Sequence, residues 1–135
     1  MEKADEIDDL ETQLRVEDMI LRSKPNDHHE HYQKGRLLSQ LFDLTGDNNY
    51  VQRALESFNT ATTIYKSDPG YFVDLGKLYA KLGDGPKAIY NISRADELLP
   101  KNQADIEALS EKQKIIVYYV RNTKEVRQNN IYFTK

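Results

Sequence analysis

Residues 75–84 read LGKLYAKLGD, and thirty-seven positions earlier residues 38–47 read LSQLFDLTGD. Leucine, leucine, an aromatic residue and a Gly-Asp pair fall in the same places. Within each stretch the apolar residues recur at three and four, the period of an amphipathic helix. Each Gly-Asp pair then interrupts that period. Further breakers stand at Lys24-Pro25-Asn26 and Pro100-Lys101-Asn102. Strand-like alternation is nearly absent, so an all-α chain is expected.

Helix starts are written in the same way along the chain. Asp27-His28-His29-Glu30 is a capping-box pattern, with the Asp carboxylate available to the first amides and Glu30 reaching back. Asp68-Pro69 sets an N-cap before a residue whose fixed φ suits the first turn. Gly85-Pro86 opens the next helix and Asn102 with Asp105 another. The spacing predicts about six helices, at 4–23, 27–45, 48–66, 69–82, 86–98 and 103–122, with a tail over 123–135. Short linkers make sequential neighbours antiparallel.

The repeat has a measurable period. Ala54, Phe58, Ala61 and Ile64 align with Ala88, Ile92, Ala95 and Leu98 at a lag of 34, from 54 to 88. Gly35 aligns with Gly76 at a lag of 41. The difference is one helical turn added within 27–45 and a longer turn after Gly46, and both insertions leave a helix-turn-helix unit intact.

Residues 69–102 resemble a tetratricopeptide repeat, whose pattern W-x2-L-G-x2-Y, A-x3-F and P runs over about 34 residues. The matching positions are Phe72, Leu75, Gly76 and Tyr79, then Ala88, Ile92 and Ala95, then Pro100. The resemblance implies that Gly76 and Ala88 are small where two helices cross, with Phe72 and Tyr79 filling the space beside them. Residues 28–68 resemble a stretched second copy, with His31 in the Trp position, Gly35 at the glycine, Leu38 for the Tyr and Lys66 for the Pro. The helix over 4–23 is then a lone second helix. The helix over 103–122 starts like another repeat at Ile106-x2-Leu109-Ser110 and continues without a turn. Its inward stripe is read as Ile106, Leu109, Gln113, Ile116 and Val120, leaving Ile115, Tyr118 and Tyr119 to face elsewhere. The whole chain, 1–135, is read as a single helical-repeat domain.

The family likeness implies a protein-binding solenoid: a scaffold, adaptor or chaperone-like module that holds a peptide or partner helix on its concave face. That face is expected to present His29, Tyr32 and Arg36, then Val73, Lys77 and Ala80, then Glu107 and Glu111. A clamp for a C-terminal carboxylate would need cations where Glu107 and Glu111 stand, which weighs against one. The second reading is a structural or self-associating subunit. It would dock through an apolar and basic end made by Ile115, Tyr118, Tyr119, Val126, Ile131, Tyr132 and Phe133.

Charge patterning bears on the same choice. The net charge of −3 comprises −6 over residues 1–30, −2 over 31–111 and +5 over 112–135. Such a gradient shapes association rather than fold. Basic residues interleaved with tyrosines after Lys112 suit nucleic acid in principle. The acidic balance of the whole favours an acidic protein surface instead, for which the N-terminal helix of another copy is one candidate.

Catalysis and cofactors find no support in the residues. Cysteine is absent, which removes thiol chemistry and Cys-based zinc sites. His28, His29 and His31 crowd one helix start, but there is no second histidine pair and no HExxH pattern. No phosphate-binding glycine loop or nucleophile motif occurs, so no enzyme, metal or cofactor is expected. Asn91-Ile92-Ser93 matches a glycosylation sequon by chance, because Ile92 belongs to the core. No apolar run approaches the roughly 20 residues of a membrane span. A cytoplasmic location is the default expectation.

Overall fold

The computed structural model describes the backbone of residues 2–129 and the side chains of residues 2–123. Val126, Ile131, Tyr132 and Phe133 of the expected association surface lie outside the described side chains. The described residues form seven helices and no strand: α1 (Glu2–Ser23), α2 (His28–Thr45), α3 (Asn48–Ile64), α4 (Pro69–Lys81), α5 (Gly85–Leu98), α6 (Gln103–Glu107) and α7 (Glu111–Asn129). The chain divides into two compact units, Met1–Lys66 and Ser67–Lys135, with the division at the seam between the two sequence repeats.

In the first unit α2 packs on both α1 and α3. The two linkers are four residues and two residues long, 24–27 and 46–47, so each pair runs antiparallel. Leu38, Leu41, Val51, Ala54 and Ala61 are fully buried and Phe58 nearly so. Gly35 lets α2 approach α3. A Cβ at this position would stand 2.6 Å from two ring carbons of Phe58, closer than carbon atoms tolerate.

The second unit repeats that contact with different residues. A Cβ on Gly76 would lie 2.8 and 2.9 Å from the Ile92 side chain and 3.2 Å from the Ala88 carbonyl. Gly35 with Phe58 and Gly76 with Ile92 are thus the same crossing made twice, which is why the sequence repeats its glycine and its A-x3-F/I pattern. Leu75, Ala88, Ile92 and Ala95 are buried as their spacing predicts, and Phe72 is nearly so. Tyr79 stays half-exposed beneath Lys87, and Pro100 lies just beyond the end of α5.

The Gly-Asp pairs are a stop and a start. Gly46 and Gly83 take φ of 69° and 79°, the left-handed conformation that ends a helix and that favours glycine. The following aspartates cap the next helix: Asp47 accepts from the Asn49 amide at 2.9 Å and Asp84 from the Lys87 amide at 3.1 Å. The cap of α5 is therefore Asp84, one residue earlier than Gly85-Pro86 suggests. Asp47→Ala and Asp84→Ala are each expected to cost about 1 kcal/mol. Urea unfolding followed by circular dichroism would show the loss in each case.

Two local expectations change. Asp27 accepts from the Glu30 amide at 3.2 Å, but its own amide donates to the Lys24 carbonyl at 3.2 Å, so Glu30 does not close the capping box. The helix expected over 103–122 is broken at residues 108–110. Ser110 starts α7: its carbonyl accepts from the Lys114 amide at 2.9 Å and its hydroxyl from the Gln113 amide at 3.2 Å. Ser110-Glu111-Lys112-Gln113 is itself a capping-box sequence, a signal that the continuous apolar spacing conceals. Gln113 leaves the inward stripe because it sits in this first turn, exposed. Behind the break the phase shifts, so Val117 joins Val120 in the core with Ile106, while Ile116 and Leu109 are only partly buried.

Candidate functional site

Small residues on α4 and α5 leave a recess that α7 fails to fill. Gly76 and Ala80 lie four apart on one face of α4, and Ala88 and Ile92 four apart on the facing side of α5. These four form the floor of a groove of about 370 Å³, and Ile115, Tyr118, Tyr119, Asn122 and Thr123 of α7 form its wall. Among the described residues no charged side chain lines it. Ile115 and Tyr118 are 68% and 71% exposed, the most exposed large apolar side chains described. Leaving such groups against water forgoes roughly 1.5–3 kcal/mol of burial each, and they sit together beside an apolar floor.

One cation stands at the edge of this recess, and two more lie close in sequence to its wall residues. The Lys77 ammonium lies 4.5 Å from the centre of the Tyr119 ring, a cation–π distance. Lys114 sits one residue before Ile115, 3.4 Å from Glu111, and Arg121 is exposed three residues after Tyr118. The recess is therefore apolar, with the Lys77 ammonium at its edge.

The residues expected on a concave face divide in two. Lys77 lies over the Tyr119 ring and the exposed Ala80 lines the same groove as Tyr118 and Tyr119, so residues that the sequence places on separate surfaces come together. Val73 does not belong to it. Its side chain is 4% exposed and packs with Val117 and Val120, because α7 lies over that part of α4. Glu107 and Glu111 are exposed but belong to different helices across the break, so they do not share one helix face. In the first unit His29 and Arg36 are exposed on α2, and Tyr32 is half-buried with its ring 5.7 Å from that of Phe58. The Arg36 guanidinium lies 5.8 Å from the Tyr32 ring.

The histidine cluster is structural in its contacts. His28 stacks on Tyr65 with ring centres 4.5 Å apart, and His31 Nε2 donates to the Pro25 carbonyl at 2.7 Å. Gln33 donates to His29 Nε2 at 3.3 Å. Among the described residues no group of three or more metal-ligating side chains is arranged to hold an ion. No described helix is long and apolar enough to cross a membrane.

One buried acid stands out in the first unit. Glu17 of α1 is 8% exposed, and its Oε2 has no hydrogen-bond partner among the described residues. Burial, then the hydrogen bond and charge of Glu30, then Asp18 and Asp27, push its carboxyl up to about 7. Asp18 itself is paired with Lys34 at 2.8 Å. The sequence hides this pair, because thirteen positions and a turn separate Glu17 from Glu30.

The floor of the groove also escapes a reading of the sequence. Gly76, Ala88 and Ile92 carry the repeat pattern and so read as packing residues only. The available signal is Ala80, a second small residue one turn after Gly76 on the face that meets α5. No protein-family model matches this chain, and no curated protein matches it either.

Proposed function

We propose that this chain is a non-enzymatic protein-binding module of the tetratricopeptide type, and that it holds a segment of another polypeptide in the groove bounded by α4, α5 and α7. The observation that carries the reading is the pairing of an uncharged floor of small residues with the exposed Ile115 and Tyr118. The small, exposed Ala80 lets a partner come close to the floor, and the two exposed side chains supply the apolar area that association gains by covering. The repeated glycine crossing in both units supports the family assignment. Adaptor, scaffold and chaperone-like roles all follow from such a groove, and its partner defines which one applies.

A photo-reactive phenylalanine analogue at position 118 tests this reading. It is expected to form polypeptide adducts in cells, and Ala80→Arg, which fills the groove floor, should remove most of them. The same probe at the exposed Glu56 of α3 should give few. Adducts that are equal at both positions, or indifferent to Ala80→Arg, would end the reading.

A further inference from the structure

The groove needs a covering segment that is apolar and acidic, and α1 carries such a face. Asp5, Asp8, Asp9, Val16 and Met19 are all exposed and recur at helical spacing along one side of α1. Val16 and Met19 are 51% and 61% exposed, on the side away from the buried Leu14. As a whole α1 carries eight acids against three bases. Over residues 111–123, α7 carries three bases against one acid.

We infer that the groove of one copy receives α1 of a second copy, in a head-to-tail assembly; this rests on the groove being a polypeptide-binding site. Val16 and Met19 would cover the apolar floor beside Tyr118, and Asp5, Asp8 and Asp9 would face Lys77, Lys114 and Arg121. Charge selects this arrangement over a symmetric one. Two grooves facing each other would oppose Lys77, Lys114 and Arg121 to themselves, and like charges brought together disfavour association. A contact between two different surfaces leaves each copy with one groove and one helix to offer, so copies add in series or close into a ring.

Sedimentation velocity of the full chain reads this directly. Wild type is expected to grow in size with concentration, and high salt should weaken the association about tenfold by screening the charges. A groove-blocked variant (Ala80→Arg with Tyr118→Ser) and a helix-blocked variant (Val16→Lys with Met19→Lys) should each remain monomeric. Their equimolar mixture should form a dimer and nothing larger, since only one intact interface remains. All four substituted positions are exposed, and an unchanged circular dichroism spectrum checks that both variants fold. A wild type that is monomeric at every concentration overturns the inference, as does a mixture that stays monomeric while wild type associates. If wild type is monomeric and position 118 still captures a different polypeptide, self-association fails and the binding groove stands. Loss of both results removes both.

Discussion

Phe58→Ala is expected to destabilise the 1–66 unit by about 3–5 kcal/mol, the usual cost of truncating a buried aromatic ring. The more telling result concerns Gly35. In the wild-type background Gly35→Ala should cost about 1–2 kcal/mol, because overpacking against the ring outweighs the helix propensity that alanine adds. In the Phe58→Ala background the obstruction 2.6 Å away is gone, and the same substitution should stabilise by up to about 1 kcal/mol. A double-mutant cycle measured by chemical denaturation would show this change of sign. Additive effects would mean that the two helices do not meet where the glycine lies. Gly76 should respond differently, since the Ala88 carbonyl stands 3.2 Å from its would-be Cβ. Trimming Ile92 cannot move that backbone atom, so rescue there should be partial.

Glu17→Gln should make the first unit more stable at pH 8 and have little effect at pH 4. The unfolded chain loses this proton near 4.5, whereas the folded protein keeps it up to about 7. Between those values the folded state binds more protons, so raising the pH removes stability. The loss is complete above pH 7 and amounts to about 3 kcal/mol. Glutamine cannot ionise, and its amide can still donate to Glu30. The difference between the wild-type and variant stability profiles should therefore open between pH 4.5 and 7 and then stay flat. A difference that is independent of pH would mean that Glu17 reaches solvent and shares no proton with Glu30.

Local chemistry was legible in the chain. Helix periods, the caps at Asp27 and Asp68, the turn glycines and the recurring small residue at each crossing all act over a few residues, so spacing alone reveals them, whereas Asp47 and Asp84 read only as breakers. Ser110 is the instructive exception. Its capping box is as local as the others, but Ile106, Leu109, Ile116 and Val120 fall at spacings that one continuous helix keeps on one face, and that spacing is the stronger cue. Once the helix breaks there, the faces behind it rotate. Val117 turns inward, Gln113 turns out, and α7 settles over Val73.

The remaining features required the fold because they depend on which faces meet. Ile115 and Tyr118 are more than thirty positions from Gly76 and Ala80, and only the landing place of α7 brings them to one groove. Glu17 and Glu30 become a pair only because α1 and α2 are antiparallel around the turn at residues 24–27. Periodicity states that a helix has an apolar side. The identity of the surface that covers it follows from packing, where every helix competes for the same limited area.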